Sequence, residues 1–159
     1  MSIGAAEFRR VLGHYATGVT VVTSADRDGA AWGLTANAVS SVSLDPPLVL
    51  VCVDRESDTH RAIETSESFA ISVLDEGGER LARRFADDPV ETKFEGIAWR
   101  EEVTGAPVLD AALAWVDCRL WATYDGGDHS IFVGEVVAAD AREGPPLLYF
   151  RGGYGRLSP

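Results

Sequence analysis

The sequence predicts a mainly β protein, an antiparallel barrel with helices packed outside it. Three observations carry that expectation. Short β-branched and apolar runs recur along the chain, turns rich in Gly and Asp separate them, and the runs return as hairpins instead of alternating regularly with helices. The count comes to about seven or eight strands and two or three helices.

Taken in order, Ala5 to Tyr15 reads as a helix, with Phe8, Val11, Leu12 and Tyr15 spaced three and four apart. Gly18 ends that pattern, and Gly18 to Ser24 (GVTVVTS) is a strand. Asp26-Arg27-Asp28-Gly29 makes a turn, and Ala30 to Ala38 returns as the second arm of a hairpin. Pro46 and Pro47 forbid a continued ladder, so the next strand, Leu48 to Val53, is expected to begin after them. Ser57-Asp58-Thr59 caps a helix start, Phe69 to Leu74 is a short buried strand, and Glu76 to Phe85 is helical by pattern. Two long strands, Trp115 to Tyr124 and Ser130 to Ala139, flank the turn Asp125 to Asp128. Leu147 to Phe150 is the last strand before a glycine-rich tail.

Length and composition narrow the function classes. A chain of 159 residues is expected to form one domain over 1–159, with 46% hydrophobic and 25% charged residues, an ordinary globular balance. The net charge of −11 repels nucleic acid and anionic lipid, so neither is expected as a partner. No apolar run approaches the roughly 18 residues of a membrane span, and without a long apolar stretch after a basic start no secretory signal is expected. Cys52 and Cys118 lie in apolar runs without metal-ligand spacing and read as buried thiols of a cytoplasmic protein. His14, His60 and His129 show no zinc spacing, so no metal site is expected.

The stretch GLTANAVSSVSLDPPLVLVCV (Gly33 to Val53) concentrates the chemistry. Here hydroxyls and an amide run directly into a core strand, a setting suited to a flat ligand with polar edges and a phosphate at one end. Thr35, Ala36, Asn37 and Ala38 offer such edges, or they satisfy a twisted strand end. With neither GxGxxG nor GxxxxGK[ST] present, dinucleotide binding of the usual loop types has no support. Ser57-Asp58-Thr59 fits two roles: a plain N-cap, or an anion site built from free N–H groups and two hydroxyls. Asp58 weighs against the second unless its carboxylate turns away. Arg83, Arg84 and Lys93, near Phe85 and Phe94, either hold a pyrophosphate or form a solvated face. His129 has Asp128 as its sequence neighbour, which is expected on the opposite face of a strand, so no acid–base dyad can be built there.

Taken together, the segments resemble the flavin reductase family of the FMN-binding split-barrel fold, the reductase components of two-component flavin-dependent monooxygenases. The resemblance runs from about Phe8 to Leu157. It rests on the order ATGVTVVTS (Ala16 to Ser24), the Gly33 to Val53 stretch, Ser57-Asp58-Thr59-His60, FAISVL, GDHSIFVGEVV (Gly127 to Val137) and LLYFRGGYGRL (Leu147 to Leu157). It implies an antiparallel split β-barrel of Greek-key type that transfers hydride from NADH or NADPH to FMN or FAD and supplies reduced flavin to a partner monooxygenase. By the same resemblance, Thr35, Ala36, Asn37, Ala38 and Ser41 line the flavin ring and ribityl chain. Cys52 and Val53 approach the ring edge, and Ser57 and Thr59 are phosphate donors. Arg84 and Phe85 help hold the phosphate or adenine end, and His129 and Tyr154 flank the nicotinamide, His129 as the catalytic residue. A homodimer is implied too, with some of Trp32, Trp99, Trp115 and Trp121 facing the partner. The rival readings are a flavoprotein oxidase of the same superfamily and a non-catalytic flavin or haem carrier.

Overall fold

The computed structural model describes residues 1–158. The helix α1 (Ala5–Leu12) leads into β1 (Thr17–Gly18), β2 (Thr20–Ala25), β3 (Ala31–Ala36), β4 (Val39–Leu44) and β5 (Pro47–Asp54). Next come α2 (Asp58–Ser66), β6 (Ser68–Val73) and α3 (Glu79–Asp87), then the short pair β7 (Trp99–Arg100) and β8 (Val108–Leu109). The long strands β9 (Ala114–Gly126) and β10 (His129–Ala141) precede β11 (Leu147–Phe150) and β12 (Gly153–Arg156). Among the described residues no helix is long and apolar enough to cross a membrane.

Seven strands form one antiparallel sheet in the order β3-β2-β6-β9-β10-β5-β4. Its two edges, β3 and β4, are consecutive in the chain and are joined only by Asn37 and Ala38. So short a link draws the two edges together at that end, and the sheet curls into a barrel with an unpaired seam between β3 and β4. The Cys52 N–H donates to the Ala38 carbonyl at 3.0 Å, tying the link to β5.

Alternation along the strands sorts two cores. Val22, Val51, Val53, Phe69 and Phe132 fill the barrel with Ile63 from α2. Val19, Val21, Leu74 and Leu147 face outward, where Phe85 of α3 covers them. The strand β2 is therefore buried on both faces, which is why its sequence reads as an unbroken β-branched run.

The structure corrects several expected boundaries. The first helix stops at Leu12 with Gly13 as its C-cap, and the third begins at Glu79. The hydroxyl-rich segment is itself a strand, β4, and β5 starts at Pro47 instead of after the prolines, with Pro47 opposite Leu44. Proline is tolerated there because it is the first residue of its strand. The strand β11 has the expected bounds, whereas the pair β7–β8, the strand β12 and the two-residue β1, which shares only Gly18 with an expected strand, lay outside the expectation because each is too short or too rich in glycine to show a period.

Gly134 lies beside a bulge in β10, where a Cβ would come within 2.5 Å of the Phe69 ring and 2.7 Å of Cys118 Cβ. Gly134→Ala is expected to destabilise the fold by about 2 kcal/mol through overpacking. A drop of about 4–8 °C in the melting temperature would register it.

Candidate functional site

A cleft of about 750 Å³ opens beside the Asn37-Ala38 link. Asn37, Ala38 and Ser40 form one side, Cys52 and Leu50 of β5 the floor, and Phe8, Leu12 and Tyr15 the opposite wall. The α1 wall has no buried residue, and Tyr15 is 75% exposed. Thr17 also lines the cleft, and its Oγ1 is buried without a hydrogen-bond partner, the sole such side-chain atom found among the described residues. Burying a hydroxyl unpaired costs free energy, so this atom fits a ligand that supplies an acceptor or donor.

Register places His129 on the same sheet. Ile131 pairs with Cys52 and His129 with Asp54, so His129 and Ile131 share the face of Cys52 and Leu50, with His129 about 7 Å further along. Its partner differs from expectation. Asp128 lies in the two-residue turn and not on a strand, so its side chain can reach back, and His129 Nδ1 donates to Asp128 Oδ1 at 2.7 Å. That bond fixes the tautomer and leaves Nε2 as the free ring nitrogen. The same bond, followed by the imidazole's charge, holds the Asp128 carboxyl below its usual range. Gly127, with φ +75°, takes the turn position that requires a left-handed residue.

A second cavity, about 240 Å³, lies at the other end of β3 and β5. Leu34, Ser57, Thr59, Lys93 and Phe94 line it. Ser57 is the N-cap of α2: its Oγ accepts from the His60 N–H at 3.1 Å and donates to the Asp54 carbonyl at 2.8 Å. Asp58 and Glu56 line the cavity as well, and Asp58 pairs with Arg61 at 3.1 Å, which offsets part of its charge. The helix start is braced from below, where His60 Nε2 meets Ser130 Oγ at 2.8 Å over the Phe132 ring. Lys93 Nζ donates to the Gly33 carbonyl at 3.3 Å, and burial lowers its pKa.

The expected residues divide accordingly. Asn37, Ala38 and Cys52 meet at the large cleft, and Ser57 and Thr59 meet at the small one. Ala36 and Thr35 lie on the strand between, where Ala36 packs on the barrel core and Thr35 Oγ1 donates to the Ala82 carbonyl at 2.6 Å. Ser41 pairs with Val49 and faces the other side of β4, and Ser40, one residue earlier, takes its place at the cleft. Val53 is fully buried in the barrel.

Arg84 and Phe85 do not face either cavity. The Arg84 guanidinium donates to the carbonyls of Thr92 at 2.7 Å, Lys93 at 2.8 Å and Glu95, and Phe85 is a core ring packed on Phe94 and on the bare Cα of Gly33. Arg84 thus holds the turn that presents Lys93, and of the three cations the sequence offered for a pyrophosphate, Lys93 is the one that lines the small cavity. Its half-apolar surroundings were the available signal, since a lysine between Thr92 and Phe94 has a reason to be held. Tyr154 stacks beneath Arg83, 4.9 Å from its ring centre, and against Tyr149, in a sheet that reaches the cleft through β1.

Comparison with known proteins fits this geometry. The model of the flavin reductase like domain matches residues 12–158. The chain belongs to this family. It is 46% identical over 154 residues to the reductase component of a 4-nitrophenol 4-monooxygenase/4-nitrocatechol 2-monooxygenase from Rhodococcus opacus, covering 97% of this chain and 82% of that one. It is 42% identical over 160 residues to an NADH-dependent FAD reductase of Streptomyces globisporus, with 96% and 86% covered. Among solved structures, the NADH:FAD oxidoreductase of Streptomyces globisporus in complex with NAD and FAD fragments superposes with a TM-score of 0.88 at 42% identity, over 97% of this chain and 98% of that one.

Two outcomes test the site. Lys93→Ala is expected to weaken FMN binding about tenfold, the size of one charge-assisted hydrogen bond, in a fluorescence titration. Thiol labelling gives an independent readout. Burial, helped by Asp117, pushes the Cys118 thiol up to about 12, so it stays silent until the protein unfolds, while Cys52 reacts and saturating FMN slows it several-fold.

Proposed function

We propose that this protein is an NAD(P)H:flavin oxidoreductase that passes reduced, diffusible flavin to a partner monooxygenase. The observation that carries the reading is the pairing of a polar-edged cleft, large enough for a flat ring, with a helix-start cavity that holds Lys93, Ser57 and Thr59 at the far end of the same two strands. The names of the relatives support the reductase role and the oxygenase partner.

When bound, FMN or FAD supplies the hydride acceptor, and NADH or NADPH the hydride. The chain's own residues position and shield. Asn37, Ser40 and the unpartnered Thr17 hydroxyl meet the polar rim of the ring, and Cys52 and Leu50 support its face. Lys93 and the N-terminal N–H groups of α2 hold the phosphate. Phe8 and Leu12 exclude water from the open side. His129, locked by Asp128, orients the nicotinamide through Nε2 and moves no proton. We place Tyr154 at the outer end of the nicotinamide site, with Arg83 above it.

A homodimer fits the exposed apolar surface: Phe8 and Leu12 on α1, Leu44 (96% exposed) on the edge strand β4, and Trp121 (54% exposed) on β9. A second copy laid over these would also close the cleft, and residues 1–159 would act as one domain per subunit. A cytoplasmic location follows from the need for reduced nicotinamide.

Mixing the protein with NADH and excess FMN or FAD decides between the readings. Many turnovers at the nicotinamide band support the reductase, a single stoichiometric bleach would make it a bound flavoprotein, and no change would leave a carrier. His129→Ala is expected to raise the NADH KM or slow hydride transfer by about tenfold or more while flavin affinity holds. Unaltered steady-state kinetics would remove His129 from the site.

A further inference from the structure

His129 sits where the sheet runs out. On one side, β10 pairs with β5 only as far as His129 opposite Asp54, the last residue of β5. On the other side, β9 parts from β6 at Arg119 and, beyond a last bond from the Leu120 N–H to the Glu67 carbonyl, pairs with β10 alone. The turn Gly127-Asp128 lies beyond both ladders, and the His129 side chain is 41% exposed, too open for packing alone to fix its ring. On the reductase reading, and on the role it gives His129, we propose that Arg55 is a positioning residue, holding the turn that aims His129 at the nicotinamide.

One side chain and one backbone group reach the whole turn. The Arg55 N–H donates to the Asp128 carbonyl at 3.1 Å, one step past the last pair of β5 with β10, and so prolongs that ladder. Arg55 Nε donates to the Gly127 carbonyl at 2.9 Å and to the His129 carbonyl at 3.2 Å, and Nη2 donates to Asp125 Oδ1. Main chain on both sides of Asp128 is thereby fixed, which fixes where its carboxylate stands. That carboxylate accepts from His129 Nδ1 and sets the ring. Arg55 lines neither the large cleft nor the small cavity, so its effect passes through these neighbours.

Arg55 is itself well placed to act as an anchor. Asp54 Oδ1 accepts the Glu56 N–H at 2.9 Å, and the Asp54 carbonyl accepts both the Ser57 N–H at 3.2 Å and its hydroxyl at 2.8 Å. Arg55 stands inside that tight turn, directly before the cap of α2. On the far flank of His129, the buried His60 meets Ser130 Oγ at 2.8 Å. The segment from Arg55 to His60 thus brackets His129. An exposed ion pair such as Arg55–Asp125 adds little to stability, so what these contacts supply is geometry. A guanidinium fork meets several acceptors at fixed angles, which the point charge of a lysine does not reproduce.

Removing Arg55 also takes a positive charge from among Asp54, Glu56, Asp125 and Asp128, so the test separates charge from geometry. Arg55→Ala, Arg55→Lys, His129→Ala and the double variant Arg55→Ala/His129→Ala are compared by kcat and KM for NADH with FMN as acceptor, by FMN affinity and by melting temperature. Arg55→Ala is expected to lower kcat/KM for NADH about tenfold, with FMN affinity and melting temperature close to those of the wild type. Arg55→Lys is expected to remain at least about fivefold down. In the His129→Ala background, loss of Arg55 is expected to cost less than about twofold more, because two groups acting as one unit are not additive. A full further loss in that background would show Arg55 meeting the substrate directly and overturns the proposal. Full recovery by lysine assigns the effect to charge and overturns it, as does a loss that tracks FMN affinity or melting temperature. Unchanged kinetics of Arg55→Ala in a protein that turns over NADH removes Arg55 and leaves the reductase reading standing. A wild type without turnover defeats that reading and this inference together.

Discussion

The rest of this structure depends on the two-residue connection between β3 and β4. Because Asn37 and Ala38 alone span the two edges, the sheet must close at that end, and because the edges do not pair, a seam is left beside the closure. The Cys52 N–H to Ala38 carbonyl bond pins the connection to β5. Free edge groups and side-chain hydroxyls then gather where the sheet is most curved, and the large cleft forms there. An edge strand is ordinarily a hazard for aggregation. Here the exposed edge is what gives a flat ligand its polar rim.

Electrostatics reinforce the same placement. The overall charge opposes a phosphorylated ligand, yet several acidic groups near the two cavities have partners of their own. Asp58 faces Arg61, Asp26 holds an indole and two backbone amides, and Asp128 holds His129. The cation at the helix start is Lys93, supported from beneath by the Arg84 fork on three carbonyls. One arginine fixes a loop and one lysine carries the charge, a division of labour suited to their different head groups.

Much of this was legible in the sequence. The hairpin of β2 and β3, the long β9–β10 pair and the cap at Ser57 all announce themselves through β-branched runs, turn glycines and a hydroxyl before a helix. The cleft residues Asn37 and Cys52 were readable as well, since polar groups abut a core strand there. Less legible were features that depend on what lies across space. Val39–Leu44 hides as a strand because the adjacent Ser40 and Ser41 break the alternation, next to a register shift and a diproline. Arg84 and Phe85 look like a binding pair until the carbonyls and the Gly33 surface that occupy them are seen. The Asp128–His129 contact contradicts strand alternation only because Asp128 belongs to the turn. Ser40 and Ser41 exchange roles for a related reason, since register and not identity decides which hydroxyl faces the cleft.

The helix α1 contributes a wall to the large cleft while burying none of its own residues, and its C-terminal end is tied down by the Arg151 N–H to Gly13 carbonyl bond at 2.9 Å and an edge contact between His14 and Phe150. An element so lightly anchored has a low opening free energy compared with the barrel strands. Traffic through the cleft can therefore be gated by swinging one short segment, with the hydrogen-bond ladders of the barrel undisturbed. A protein built to release its product repeatedly gains turnover speed from that arrangement without any loss of rigidity at the floor.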